Sequence, residues 1–119
     1  MDDEPALRAA LAGWLEGEGW AVVEAADGTE ALRQLNEKTA LVVSDVEMPG
    51  MDGIELARRL AARRGAPPLL MLSGRRRAEV EAALPAGLRT RVLEKPFLGS
   101  ALRAAVAELT GTAGSGLIR

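Results

Sequence analysis

The chain of 119 residues contains no cysteine and no histidine. The lack of cysteine excludes disulfides, thiolate metal sites and cysteine nucleophiles. The lack of histidine removes the most common general base and excludes Ser-His-Asp and zinc–histidine sites. Carboxylates, hydroxyls and lysines are therefore the side chains among which a functional site has to be sought.

Aromatic residues and long apolar runs are also scarce. The aromatic residues are Trp14, Trp20 and Phe97, so the apolar content is mostly Ala, Leu and Val. No apolar run reaches membrane-spanning length and the first residues are acidic, which predicts a cytoplasmic protein that does not bind membranes. The net charge of −2 gives no general attraction to nucleic acid. The length predicts a single domain.

Helix and strand patterns alternate along the sequence. Apolar residues at helical spacing predict helices over residues 5–16, 29–38, 54–64, 76–84 and 97–109, the second of them capped by Thr29. Short apolar runs predict strands over residues 20–25, 41–45, 69–73 and 91–95. This alternation predicts an α/β fold with a parallel sheet and helices on both faces. Residues 1–110 are expected to form the domain, and residues 111–119, which contain Gly and Ser, a flexible tail.

Three chemically useful side chains lie where predicted strands end. Asp45, Ser73 and Lys95 each close a different strand. In a parallel sheet covered by helices, ligands bind outside the carboxyl ends of the strands. Each residue alone has an ordinary explanation, such as a cap, a turn or a loop, but the three together at successive strand ends predict a site.

Acidic residues near this predicted site suit a divalent cation. Asp2 and Asp3 precede the first helix, and together with Asp45 they would repel one another unless a hard cation lay between them. Mg²⁺ binds carboxylate and carbonyl oxygens and keeps several waters, and the backbone carbonyl of Glu47 is a further candidate ligand. The sequence therefore predicts a Mg²⁺ site.

The remaining groups suit a phosphoryl group. Lys95 can pair with a phosphoryl oxygen, and the Ser73 hydroxyl adds a donor without adding charge. Positioning and charge neutralisation do most of the work in phosphoryl transfer. A carboxylate nucleophile, here Asp45, would form an acyl phosphate.

Four segments resemble the signatures of the two-component response-regulator receiver domain, the CheY-like family. They are MDDEP at residues 1–5, SDVEMPGMDG at 44–53, LMLSG at 70–74 and EKPF at 94–97. Their order and spacing also match the family, and the resemblance extends to about Leu109. It implies a flavodoxin-like doubly wound sheet with strand order 2-1-3-4-5. It also implies a cis Lys95–Pro96 peptide bond.

The resemblance assigns roles to the candidate residues. Asp45 would be the phosphoacceptor, Ser73 the switch hydroxyl that follows the phosphoryl group, and Lys95 the phosphate contact. Asp2, Asp3, Asp45 and the Glu47 carbonyl would bind Mg²⁺. The donor would be a phosphohistidine on a sensor histidine kinase or a phosphotransfer protein, and the chain would be a signalling receiver rather than an enzyme.

Two features depart from the family pattern. Family members carry an apolar strand directly before the acidic pair, whereas here only Met1 precedes Asp2. The sheet is therefore expected to have its first strand missing or truncated. The largely apolar segment Leu117-Ile118-Arg119, from this chain or from another, is a candidate to fill part of the gap. The second departure is Val92, where the family usually has an aromatic residue that swings inward as the hydroxyl moves.

Two other functions compete with a phosphorylated receiver. A phosphatase or phosphotransferase that forms an aspartyl-phosphate would have its second acid as an aspartate two positions after the nucleophile, in the pattern Asp-x-Asp, whereas this chain has a glutamate, Glu47, there. A degenerate receiver would bind partners without being phosphorylated. A homodimer through the fourth or fifth helix is also compatible with the sequence.

Overall fold

The structure is a computed structural model, and it describes residues 5–19, 21–23, 25, 27–36, 38–46, 52–97, 99–110 and 116–118. The helices are α1 (Pro5–Gly17), α2 (Gly28–Gln34), α3 (Gly53–Ala61), α4 (Arg77–Ala83) and α5 (Gly99–Thr110). The strands are β1 (Ala21–Val23), β2 (Thr39–Asp45), β3 (Leu69–Ser73), β4 (Thr90–Glu94) and β5 (Gly116–Ile118). No helix in these ranges is both long and apolar enough to span a bilayer.

The strands form one parallel sheet in the order β1-β5-β2-β3-β4, with helices on both faces. On one face, apolar residues of α2, α3 and α4 pack against Val42, Met71 and Val92. On the other face, α1 and α5 pack against Val43 and Leu70. The predicted α/β sandwich is confirmed, and its plan is that of a flavodoxin-like receiver.

The two strands β2 and β3 lie between both helical layers. All five residues of β3 are buried, as are the last five of β2. A strand that is covered on both faces needs apolar side chains at successive positions, because neither face meets water. This explains why the continuous runs in the sequence predicted both strands to within two residues of their observed bounds.

The position of the missing or truncated first strand is occupied by β5, which confirms Leu117 and Ile118 as the residues that fill part of the gap. Residues 116–118 pair in parallel with β1 on one side and with β2 on the other. In the receiver order this position belongs to the strand that precedes the acidic pair. The flexible tail expected over residues 111–119 therefore contains a strand, while residues 111–115 and 119 lie outside the described residues.

Helix α2 differs from its predicted form at both ends. Its N-cap is Asp27 rather than Thr29, because the Asp27 carboxylate accepts a hydrogen bond of 2.8 Å from the Glu30 N–H. The helix ends at Gln34 instead of continuing to residue 38. Beyond it, the Asn36 side chain accepts a bond from the Lys38 N–H, and such side-chain bonds compete with helical ones.

Candidate functional site

Three of the predicted site residues lie together at the carboxyl edge of three adjacent strands. Asp45 ends β2, Ser73 ends β3, and Lys95 directly follows β4. The register sets Asp45 beside Leu72 on the neighbouring strand. The Lys95 N–H donates a bond of 2.7 Å to the Ser73 carbonyl, which extends the β3–β4 pairing by one step.

Asp45 and Lys95 form an ion pair. Lys95 Nζ lies 2.5 Å from Asp45 Oδ2, and the exposed fractions of the two side chains are 25% and 7%. Contacts between a lysine ammonium and a carboxylate are strong hydrogen bonds because both partners are charged. The peptide bond between Lys95 and Pro96 is cis, as the resemblance implied. The pair therefore sets a cation against the carboxylate at the edge where parallel sheets bind ligands.

Ser73 is fully buried, and its hydroxyl is part of the loop that leads to α4. Ser73 Oγ accepts a hydrogen bond of 2.9 Å from the Arg75 N–H. A serine that bonds to the backbone two residues ahead fixes a local turn. Movement of this hydroxyl would therefore break its bond to the Arg75 N–H and change the backbone between β3 and α4.

A close backbone contact explains Gly53 in the loop motif. A Cβ at this position would lie 2.6 Å from the Asp45 carbonyl oxygen and 2.8 Å from the Val46 Cα. The Gly53 N–H also donates to the Val46 carbonyl at 2.7 Å. Only glycine allows the start of α3 to approach the backbone of Asp45 this closely.

Asp52 has a structural role that the sequence reasoning did not assign. Its carboxylate accepts a bond of 2.9 Å from the Glu55 N–H and thereby caps α3. The spacing of Asp52 and Glu55, three residues apart before an apolar helix, was a signal that could have identified this cap. The acidic residue next to Gly53 is thus explained by the helix that it begins.

Glu94 is a second residue whose role was missed. Its side-chain oxygen accepts a bond of 2.5 Å from the Arg77 N–H at the first turn of α4. The register places Glu94 beside Ser73 at the carboxyl edge of the sheet. The contact spans 17 positions in sequence, so no local pattern could have found it.

Val92 stands where the family has its moving aromatic residue. Its side chain is 1% exposed and belongs to the same buried cluster as Val80 of α4. A valine at this position fills the core beneath α4. Its one short side-chain torsion gives it no extended group to swing.

The other predicted metal ligands lie outside the described residues. These are Asp2, Asp3 and Glu47. Across the described ranges alone, no three acidic residues come together as a metal cluster. The predicted donor set consists of three carboxylates and one carbonyl, all oxygen, which fits the coordination chemistry of Mg²⁺.

Known proteins similar to this chain share the receiver domain. The sequence profile of the family "Response regulator receiver domain" matches residues 1–107. The transcriptional regulatory protein PdtaR of Mycobacterium tuberculosis is 41% identical over 98 residues, which are 81% of this chain and 47% of that protein. The sensor kinase CckA of Brucella abortus is 36% identical over 112 residues, 92% of this chain and 12% of that protein. The chain thus spans about half or less of these relatives.

Solved structures agree with the fold. The chemotaxis protein CheY4 of Vibrio cholerae superposes with a TM-score of 0.79 at 31% identity, covering 91% of this chain and 92% of that one. The response regulator TrrA of Thermotoga maritima, solved in complex with Mg²⁺-BeF, gives a TM-score of 0.77 at 28% identity, covering 91% and 93%.

Receiver domains of this kind are signalling modules of two-component systems, in which phosphorylation and Mg²⁺ binding are typical. The profile match, the relatives and the fold all point the same way, and the chain belongs to the response-regulator receiver domain family.

Proposed function

We propose that this chain accepts a phosphoryl group on Asp45 from a phosphohistidine of a sensor kinase or phosphotransfer protein. The observation that carries the proposal is the contact of 2.5 Å between Lys95 Nζ and the buried Asp45 carboxylate at the carboxyl edge of the sheet. A lysine in this position can pair with the carboxylate before transfer and with a phosphoryl oxygen after it. Residues 1–119 contain no histidine, so a phosphohistidine donor has to lie outside this sequence.

The transfer needs one bond to form and one to break. An Asp45 carboxylate oxygen attacks phosphorus, and the phosphorus–nitrogen bond of the donor breaks with its electron pair left on the imidazole. Lys95 neutralises charge on the phosphoryl oxygens, and Ser73 supplies a hydroxyl donor to one of them. Asp2, Asp3, Asp45 and the Glu47 carbonyl are the proposed Mg²⁺ ligands. When bound, Mg²⁺ would neutralise further negative charge on the phosphoryl group.

Phosphorylated Asp45 would alter the surface around α4 through the Ser73 hydroxyl. In the structure this hydroxyl accepts a bond from the Arg75 N–H. When Ser73 turns to donate to the phosphoryl group, the loop before α4 loses part of its support. Because Val92 is a buried valine, this loop is the route through which we expect the change to reach partners.

Treatment with acetyl phosphate tests the proposal by intact-protein mass. We expect the wild type to gain one phosphoryl group in the presence of Mg²⁺ and far less in the presence of EDTA. Asp45→Asn should gain none, because an amide oxygen is a poor nucleophile. Asp27→Asn is the matched control, since it makes the same chemical change at a helix cap where asparagine serves equally well.

The other outcomes discriminate the competing functions. Uptake that persists in Asp45→Asn would contradict Asp45 as the acceptor. Continuous release of phosphate from a phosphate ester would favour an enzyme of the aspartyl-phosphate type. No uptake by a folded wild type, with either the small donor or a phosphorylated histidine protein, would favour a degenerate receiver that binds partners without phosphorylation.

A further inference from the structure

The strand β5 is the sole link between β1 and the other described strands. Ala21–Val23 pair with Gly116–Ile118. On their opposite side, residues 116–118 pair with β2. Within the described part of the chain, β1 has no other strand neighbour. Without β5, the backbone N–H and C=O groups of β1 and of the first half of β2 that face this position would lack hydrogen-bond partners.

The chain connectivity allows β5 to reach this place. Three crossovers, through α2, α3 and α4, step from β1 to β4 in one direction on one face of the sheet. The fourth crossover, through α5, leads from β4 back to β5 in the opposite direction and on the opposite face of the sheet. Reversing both the direction and the face leaves the hand unchanged, so all four crossovers share one hand, as parallel sheets require.

The pairing of β5 with β2 contains an irregularity. Thr39 lies beside Gly116 and Leu41 beside Leu117, so β2 has one extra residue, Ala40, between these two positions. From Leu41 onward the register is regular, and Val42 lies beside Ile118. A strand of three residues thus pairs with a neighbour of seven residues, and it contributes few ladder bonds to each side.

We propose that the gap between β1 and β2 is an acceptor site for a parallel strand and that a second copy of this chain can fill it with its own residues 116–118. In the structure the segment is supplied by the same chain, through a connection of five residues, 111–115. A connection of only five residues gives an effective concentration on the order of millimolar, so the monomer is favoured at ordinary protein concentration. When the connection cannot reach, exchange preserves the same pairing in a dimer.

The first experiment removes the connection. Deletion of residues 111–115 joins Thr110 to Gly116 across one Cα–Cα step of about 3.8 Å, which cannot bridge from a helical layer back to the sheet. We expect this variant to elute as a dimer with twice the mass of the wild type. A variant in which residues 111–115 are replaced by five Gly and Ser residues is the control and should stay monomeric. A deletion variant that forms no defined dimer would overturn the exchange.

The second experiment blocks the strand in the full chain. Leu117→Pro removes a backbone N–H within a central strand, a position that proline does not tolerate. Amide exchange at residues 21–23 and 41–42 should accelerate by more than about tenfold, or the whole protein should lose protection, whereas Leu117→Val should change neither. Unchanged protection at residues 21–23 in Leu117→Pro would show that these three residues do not occupy the gap.

A peptide supplied separately tests the acceptor site directly. A synthetic peptide of residues 112–119, added at millimolar concentration to Leu117→Pro, should restore exchange protection at residues 21–23. The same peptide carrying the proline substitution should not restore it. Equal effects of both peptides would contradict a site that recognises a paired strand. All three measurements read structure and mass, so they are independent of phosphorylation at Asp45.

Discussion

The two sides of the sheet are assembled differently. On one side β2, β3 and β4 follow one another in the chain, and each pairs with the next over four or five residues. On the other side β1 pairs over three residues with β5, which follows α5. The first side carries Asp45, Ser73 and Lys95, so the chemistry lies where the sheet is built from successive strands, of which β3 is buried throughout and β2 over its last five residues.

This difference shows that site geometry and sheet completeness are separable in this domain. β5 lies beside Thr39–Val42, and the end of β2 that carries Asp45 is paired instead with β3. Loss of β5 would therefore disturb β1 first, and the Asp45–Lys95 pair only through the core. The predictions below test this comparison, from the largest expected effect to the smallest.

Gly53→Ala should have the largest effect, because it strains the side that carries the site. The added Cβ would collide with the Asp45 carbonyl and the Val46 Cα, at a cost of about 1–3 kcal/mol in the free energy of unfolding. Urea denaturation measures this loss. Gly13→Ala is the matched control in α1, where a Cβ would meet nothing within 4 Å and should stabilise by about 0.5–1 kcal/mol. Equal effects at the two glycines would contradict the close contact.

The two aspartate caps should differ in where their loss is felt. Asp52→Ala and Asp27→Ala each remove one cap bond, worth about 1 kcal/mol. We expect Asp52→Ala to lower global stability, since α3 packs on β2 and β3, and Asp27→Ala to increase local opening around α2. Amide exchange separates the two cases, and Asn at either position should restore the wild-type pattern. If Asp52→Ala increased only local opening, without lowering global stability, the expected difference between the two caps would be contradicted.

The contact that joins α1 to α5 should have the smallest effect. Arg103 Nε lies 2.7 Å from Glu18 Oε1, and the Arg103 guanidinium lies 5.8 Å from the centre of the Trp14 ring. The Arg103 side chain is largely exposed, so a double-mutant cycle with Glu18→Gln and Arg103→Gln should give a coupling of about 0.2–1 kcal/mol.

Added salt should reduce this coupling. The exposed Glu55–Arg59 pair within α3 provides a reference for an ion pair that joins no two elements. If the Glu18–Arg103 coupling did not change with salt and exceeded about 1 kcal/mol, α1 and α5 would depend on each other more strongly than their exposed contact indicates.

Much of the fold and of the site could be predicted because the signals are local. The continuous apolar runs of β2 and β3 identified both strands, and the residues that end them identified Asp45 and Ser73. Lys95 followed from the same reasoning, and its contact with Asp45 is present in the structure. Strand ends of a parallel sheet converge whatever the detailed packing, so these residues needed no long-range information.

The features that were missed depend on contacts distant in sequence or on competition between caps. Glu94 reaches Arg77 across a gap between two elements, and no spacing rule predicts that. Asp27 and Thr29 both suit an N-cap, and the structure selects Asp27. The segment that fills the gap was not missed: Leu117 and Ile118 were expected there although they have little strand signal of their own, and their pairing with two strands far away in the chain confirms it.

The pairing of Ala21 with Gly116 also has a consequence for the order of folding. Almost the whole described chain lies between these partners, so the loop closed by their contact is the longest in the sheet, and contacts of this kind form slowly. During synthesis β2, β3 and β4 can pair as they emerge, whereas β1 gains its described partner only when residues 116–118 leave the ribosome. Of the described strands, β1 is synthesised first and is therefore among the last to be fixed in the sheet, so its edge stays exposed for the longest time.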